Sequence, residues 1–157
     1  MKQVFPNYRR SLGAGLLLLV WAGNPSCLDA NPTGGTVTQG TAIISGSGTP
    51  QVTINQTSPN AFISWQGFNI GAGETTTFVQ PSSTSVAWNQ INDLNPSQIL
   101  GNLNANGYVV LQNSSGFYVG GQASITAHGL IMTTASTPRL NLSSGGPWSF
   151  KIGRAHV

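Results

Sequence analysis

The sequence predicts an all-β protein built as a solenoid, and three observations carry that reading. Between Asn95 and Gly129, short apolar runs are separated by turn residues at nearly even intervals. Val109-Val110-Leu111, Phe117-Tyr118-Val119 and Ala123-Ser124-Ile125 are too short and too β-branched or aromatic for helices, and the glycines among them would destabilise a helix further. Corresponding runs return at roughly twenty-odd residues, from Trp88 to Leu111 and on to Ile131, the spacing of coils that stack on one another.

Composition agrees. Only 6% of the 157 residues are charged, which excludes a charged amphipathic bundle or a coiled coil, and hydroxyls and amides must solvate the surface. A hydrophobic fraction of 39% without charge runs favours a folded chain over a disordered one, and the length suits one domain. The formal charge of +3 is carried at the ends by Lys2, Arg9, Arg10, Lys151 and Arg154. From Asn31 to Phe150 only Glu74, Asp93 and Arg139 are charged, a net −1 that removes the electrostatic case for nucleic acid or anionic lipid. Cys27 is the single cysteine, so neither an intrachain disulfide nor a thiolate metal cluster can form.

In chain order, residues 1–30 read as an export signal. Lys2, Arg9 and Arg10 supply its positive start and Leu12 to Gly23 an apolar core too short to span a bilayer permanently. A cut after Ala30 releases Asn31. Lipidation of Cys27 is the competing outcome, although Asn24-Pro25-Ser26 lacks the pattern of a lipoprotein signal. Thr36 to Ser45 and Gln51 to Asn55 alternate with the period of two of half-buried strands, and with Gly46 to Pro50 between them they form a hairpin suited to an open end of a solenoid. Ala61 to Ile70 is predicted to be buried on both faces, Ala61, Ile63 and Trp65 on one and Phe62, Phe68 and Ile70 on the other. Gly71-Ala72-Gly73 breaks it and lacks the third glycine, the lysine and the helix of a phosphate loop. Thr75 to Gln80 forms a strand ending at Pro81, Val86 to Asn89 the next rung, and Ile99 to Leu103 the one after it. Two breaks, Asn104-Ala105-Asn106-Gly107 and Asn113-Ser114-Ser115-Gly116, each start with Asn and end with Gly, as a type I turn closing on a left-handed residue would. Beyond Ala135 loop punctuation surrounds Leu140 and Leu142, and Trp148 and Phe150 either dock on the last rung or begin another coil. Residues 151–157 are set apart as a non-native tail, because Ile152 to Val157 is the translation of ATCGGAAGAGCACACGTC, a sequence resembling a common sequencing-library adapter. The reading frame is then expected to continue past Phe150 in the native protein.

Chemistry-bearing residues are sparse. His128 has no carboxylate or thiol near it in sequence and reads as a turn or rim histidine. Glu74 and Asp93 are the only carboxylates between Asn31 and Phe150, and both fall beside turn residues, as solvated loop charges do. Polysaccharide lyases need more carboxylates than these for calcium. Trp65, Trp88, Phe68 and Phe117 form either a sugar-stacking strip or, the plainer reading, stacked core aromatics. No catalytic residue, cofactor site or metal site is expected.

Several short motifs occur in a fixed order: Asn31-Pro32-Thr33-Gly34-Gly35, Ile54-Asn55-Gln56, Trp65-Gln66-Gly67-Phe68-Asn69-Ile70-Gly71, Val79-Gln80-Pro81-Ser82, and Pro96-Ser97-Gln98-Ile99-Leu100-Gly101 followed by Leu103 and Ala105-Asn106-Gly107. In order and spacing the chain resembles the N-terminal two-partner secretion domain of the filamentous-haemagglutinin family over residues 31–150. The resemblance implies a right-handed parallel β-helix with antiparallel hairpin caps. It also implies export through the inner membrane, then across the outer membrane of a Gram-negative-type bacterium by a dedicated barrel transporter. Asn55, Trp65, Gln66, Phe68, Asn69, Pro81, Pro96, Gln98 and Leu100 are its structural positions, and Asn104, Gly107, Asn113, Ser114, Ser115 and Gly116 its turn and transporter-recognition positions. In that family an Asn-Pro-Asn-Gly turn stands where this chain has Asn113-Ser114-Ser115-Gly116, so the ends are kept and the middle is not. The implied function is a non-enzymatic secretion address at the head of an adhesin or haemagglutinin-like protein. It would be recognised by periplasmic domains of the transporter, with host or surface glycans left to the downstream passenger. A carbohydrate-binding β-helix acting alone is the second reading and a β-helix enzyme the third.

Overall fold

The structure, a computed structural model, describes residues 31–135. The predicted leader with Cys27 and its cut after Ala30, the placement of Trp148 and Phe150, and the 151–157 tail fall outside those residues. Within them the chain is all strand and turn: β1 (Thr36–Gln39), β2 (Ala42–Ser45), β3 (Gln51–Gln56), β4 (Asn60–Trp65), β5 (Thr75–Val79), β6 (Val86–Ile91), β7 (Ser97–Ile99), β8 (Asn102–Ala105), β9 (Tyr108–Asn113), β10 (Phe117–Val119), β11 (Ser124–Thr126) and β12 (Gly129–Thr133). The strands lie on three faces that the chain visits in rotation. β1, β4, β6, β9 and β12 make the first face, β7 and β10 the second, and β2, β3, β5, β8 and β11 the third. The result is a parallel β-solenoid of about four turns, as the repeating runs predicted.

Parallel pairing stacks like on like. Ala61 lies beside Ala87, Ala87 beside Val109 and Val109 beside Leu130 on the first face, and Val52, Thr76, Leu103 and Ile125 follow one another on the third. Inward residues of all three faces meet in one core of Val52, Ile54, Ile63, Trp65, Phe68, Ile70, Phe78, Ile99, Leu103 and Leu111. Each large apolar side chain buried there stabilises the fold by about 1.5–3 kcal/mol. Polar members of the interior are matched as well: among the described residues no buried side-chain nitrogen or oxygen lacks a hydrogen bond.

Four details depart from the sequence prediction, each for a local reason. Thr36 to Ser45 is two strands and not one, because the chain turns at Gly40 (φ 73°), where a Cβ would collide with the Asn60 carbonyl. β1 then caps the first face antiparallel to β4, and β2 caps the third antiparallel to β3. Ala61 to Ile70 is not one strand with two buried faces. β4 ends at Trp65 and the corner at Gln66-Gly67 swings Phe68 and Ile70 into the same core as Trp65, whose ring meets Phe68 edge-on at 5.5 Å. Ile99 to Leu103 is divided by a corner at Gly101 between β7 and β8.

The last departure concerns register. Trp88 stacks not on Leu111 but on Val110, and Val110 on Ile131, while Leu111 lies beside Asn89 and points inward. A one-residue slip exchanges the faces of a strand. The in-register ladder Phe62, Trp88, Val110 and Ile131 therefore runs along the outer side of the first face, with Phe62 and Trp88 stacked at 6.2 Å and 11°. Together with Val86 it forms a second apolar cluster, in which Trp88 and Val110 are fully buried.

Candidate functional site

Many of the motif residues sit at the corners of the coil, where side chains add to the backbone bonds between successive coils. At the corner after β4, Gln66 N and Gly67 N donate to the Thr33 carbonyl at 3.1 and 3.4 Å, and Thr33 N donates to the Gly67 carbonyl at 2.9 Å. The exposed Gln66 side chain fills the space above Gly34, so a Cβ there would lie within 2.5 Å of it. Asn69 spans two coils, its Oδ1 accepting from Gln98 N at 2.8 Å. Leu100 packs where Gly120 leaves room, and two prolines are exposed at corners, Pro81 near the start of the one between β5 and β6 and Pro96 at the end of the one before β7. Asn55 is exposed on the outer side of the third face, in register with Ile43 and Val79.

Trp65 belongs to the interior. Its indole donates to Asn89 Oδ1 at 2.9 Å, and Asn89 Nδ2 donates to the Ala87 and Val110 carbonyls. Sequence reading missed Asn89, because a wholly buried asparagine in the middle of a strand gives no signal beyond an odd polar residue on an apolar face.

The two Asn-to-Gly breaks differ. Asn113-Ser114-Ser115-Gly116 is a turn closing on a left-handed residue: Gly116 has φ 98°, its N–H donates to the Asn113 carbonyl at 3.1 Å, and Ser115 N donates to Asn113 Oδ1 at 2.9 Å. Asn113 itself is wholly buried, donating to Asn95 O and Ser97 Oγ, so its side chain faces the rod's interior, and of the four only Ser114 is exposed, Ser115 and Gly116 being half-buried. Nothing lies within 4 Å of a Cβ built on Gly116. Gly116→Ala is therefore expected to lose about 1 kcal/mol in a urea melt, from backbone strain alone.

Asn104-Ala105-Asn106-Gly107 is not a four-residue turn. Asn104 and Ala105 continue β8, Asn104 facing outward between Thr77 and Thr126, and the corner is Asn106-Gly107 alone. Gly107 has an ordinary negative φ, and its lack of a side chain matters because a Cβ would lie 2.6 Å from the Ser85 carbonyl and 2.7 Å from Gln80 Oε1. The pattern Asn-x-Asn-Gly satisfied the turn rule without revealing the crowding that selects glycine.

The carboxylates are apart in role and place. Glu74 is not a solvated loop charge. It is buried and its Oε2 accepts from Gly71 N at 2.6 Å, closing the turn whose other bond runs from Glu74 N to the Gly71 carbonyl. Glu74→Ala is expected to cost about 1–3 kcal/mol by leaving that N–H without its acceptor, and Glu74→Gln less; thermal unfolding measures both. Asp93 lies on a different corner and holds Asn95 N and Nδ2 at 2.9 and 3.1 Å. His128 is exposed at a corner, edge-on to Tyr108 at 5.0 Å. Among the described residues no three His, Cys, Asp or Glu side chains are grouped to hold a metal ion. The proposed sugar strip dissolves too: Trp65 and Phe68 are in the core, and Trp88 is buried on the other side of the sheet.

Known proteins share this arrangement. The chain is 38% identical over 115 residues to the heme/hemopexin-binding protein of Haemophilus influenzae strain KW20/Rd, covering 73% of this chain and 13% of that protein. A second H. influenzae heme/hemopexin-binding protein matches at 38% over 105 residues, 67% of this chain and 11% of its own length. The chain thus spans about an eighth of these relatives. The crystal structure of the HMW1 secretion domain from H. influenzae superposes with a TM-score of 0.67 at 30% identity, covering 73% of this chain and 30% of that one. Residues 28–153 match the family described as the TPS secretion domain. With a capped, parallel coil, corner motifs in the expected order and this match over most of its length, the chain belongs to the TPS secretion-domain family.

Proposed function

We propose that this chain is the targeting portion of a large exported protein. Periplasmic domains of an outer-membrane barrel transporter recognise it, and the protein reaches the surface or medium of a Gram-negative bacterium. The exposed Ser114 with Ser115 and Gly116, and the outward Asn104, are the recognition positions; Asn113 and Gly107 act by shaping the corners that present them. Residues 1–30 direct passage of the inner membrane and are removed after Ala30.

One observation carries the folding half of this reading. The rod is closed at one end by the antiparallel β1 and β2, whereas β10, β11 and β12 have a strand partner on one side only among the described residues. Parallel edges of this kind accept a further coil through ladder hydrogen bonds and stacked apolar rungs, and Tyr118, Val119 and Met132 are exposed there. Folding coil upon coil outside the cell disfavours return and needs neither nucleotide nor cofactor. The very low charge suits passage, since few ions must shed water. Glu74 and Asp93 are committed to holding separate turns, which supports a non-enzymatic role.

The experiment is export of the full chain from cells with and without its barrel transporter, paired with retention of the chain on purified periplasmic domains. Export that requires the transporter and retention on its domains are expected. Equal export without the transporter, or a chain that ignores those domains, would overturn the reading.

A further inference from the structure

Where the third face turns into the first, the strands break in every coil, successive coils are joined by single backbone bonds such as Val86 N to Pro59 O at 2.9 Å and Tyr108 N to Ser85 O at 2.8 Å, and the corner lengths differ. β3 reaches β4 through Thr57 to Pro59, β5 reaches β6 through Gln80 to Ser85, and β8 reaches β9 through Asn106 and Gly107 alone. Corner length therefore cannot fix which residue opens the next first-face strand. A slip by one there would turn Ala87, Asn89 and Ile91 outward and bring Val86, Trp88 and Gln90 into the core.

Two buried glutamines stand at this corner, one above the other, because Asn55 pairs with Val79 and each glutamine follows its partner in sequence. Both have the same pair of duties. Gln56 Nε2 donates to its own corner at Ser58 O (2.8 Å) and Pro59 O (3.1 Å), and to Val86 O of the next coil at 3.1 Å. Gln80 Nε2 donates to its own corner at Ser85 O (3.2 Å), and to Tyr108 O of the next coil at 3.2 Å. Val86 and Tyr108 are register partners, and they are the first residues of β6 and β9. Each glutamine thus grips the opening residue of the following first-face strand.

The grip is reinforced below Gln80. Its Oε1 accepts from Gly107 N at 2.9 Å, and Asn106 clasps its backbone with two bonds of 2.7 Å, Gln80 N to Asn106 Oδ1 and Asn106 Nδ2 to Gln80 O. The side-chain amide of Asn106 thereby completes a pairing that the strands cannot make at the bend. The glutamine column then ends, since the amide of Gln80 occupies the space that a side chain on Gly107 would need.

We infer that Gln56 and Gln80, with Asn106 as the clasp, are positioning residues that set the register in which each new coil is laid on the one before it. Their bonds form while a coil is docking, ahead of the ladder they align. The inference stands on the coil geometry and on no transporter, so its test needs neither transporter nor cell. Urea-dependent refolding and unfolding rates of the full chain are measured for the parent and for Gln80→Met, which keeps length and removes every side-chain amide bond. A register-setting bond belongs to the folding transition state, so refolding is expected to slow by about ten-fold or more while unfolding changes less than about three-fold. Faster unfolding with refolding unchanged would overturn the inference and leave Gln80 an ordinary buried amide.

A conservative variant supplies the second readout. In Gln80→Glu the ionised carboxylate faces the Ser85 and Tyr108 carbonyls without a proton to donate. Burial beside those oxygens raises its folded-state pKa above the unfolded value of about 4.3. Its contribution is then fully present below that unfolded value and lost as pH rises through the folded one. Refolding relative to the parent at the same pH is expected to recover in acid, when one donor is restored, and a ratio independent of pH would overturn the assignment. If Gln80→Met does not fold at all, Asn106→Ala, which removes the clasp alone, is expected to show the same one-sided slowing of refolding; an effect confined to unfolding would refute the role of the corner.

Discussion

Trp65→Ala is expected to remove most of the domain's stability. Truncating a large buried aromatic costs about 3–5 kcal/mol through lost transfer and the cavity left behind. Asn89 Oδ1, inside the core at 2.9 Å from the indole N–H, would also lose its donor, which adds about 1–3 kcal/mol. Against a total of roughly 5–15 kcal/mol for a domain, the sum leaves little. The two parts can be separated. Trp65→Phe keeps most of the volume and orphans Asn89, Asn89→Leu orphans the indole, and the double variant leaves neither of the two groups facing an absent partner. The double variant is expected to lie above the sum of the singles by about 1–2 kcal/mol in urea unfolding, because the residues are in contact. Strict additivity would mean that the Trp65–Asn89 bond contributes nothing.

What the sequence made legible follows from what kind of information each feature leaves behind. Alternation in Val52 with Ile54 and in Ala61, Ile63 and Trp65 is local, so inward faces could be assigned without knowing the partners. The stacking of coils was visible because the same short strand recurs. Register was not, since Trp88 to Val110 and Trp88 to Leu111 are equally good apolar matches and nothing local to the strand distinguishes them. Corners were the weakest point. A chain rich in Asn, Ser and Gly contains turn-like tetrads by composition, and Asn113 to Gly116 is one that turns while Asn104 to Gly107 is half strand. The buried amides Gln56, Gln80, Asn89 and Asn113 look like surface residues in a one-dimensional reading, yet each bonds a coil or corner distant in sequence. Glu74 misled for the same reason: a carboxylate beside glycines reads as solvated until the fold turns it onto the Gly71 N–H.

Gly101→Val is expected to be as damaging as any core truncation, although it adds atoms instead of removing them. Gly101 forms the bend between β7 and β8, and a Cβ there would run into the carbonyl oxygens of Gly71 and Glu74 in the coil above. Those atoms are backbone, held in place by the bonds from Leu100 N and Gly101 N to Ile70 O, and from Asn102 N to Glu74 O. No rotamer change relieves the overlap, so the third coil must move away from the second and give up the ladder between β5 and β8. In a solenoid each coil is supported by its neighbours, so the loss should spread from the broken contact toward β12. Amide exchange is expected to show β8, β9, β11 and β12 losing protection before β3 and β4, with export falling in proportion. Gly73→Val is the control. Gly73 has φ 82°, and nothing stands within 4 Å of its added Cβ, so the cost there is backbone strain of roughly 1–2 kcal/mol and protection of β8 should persist. If the two substitutions proved equally mild, contact between successive coils at Gly101 could not be what holds the third coil in place.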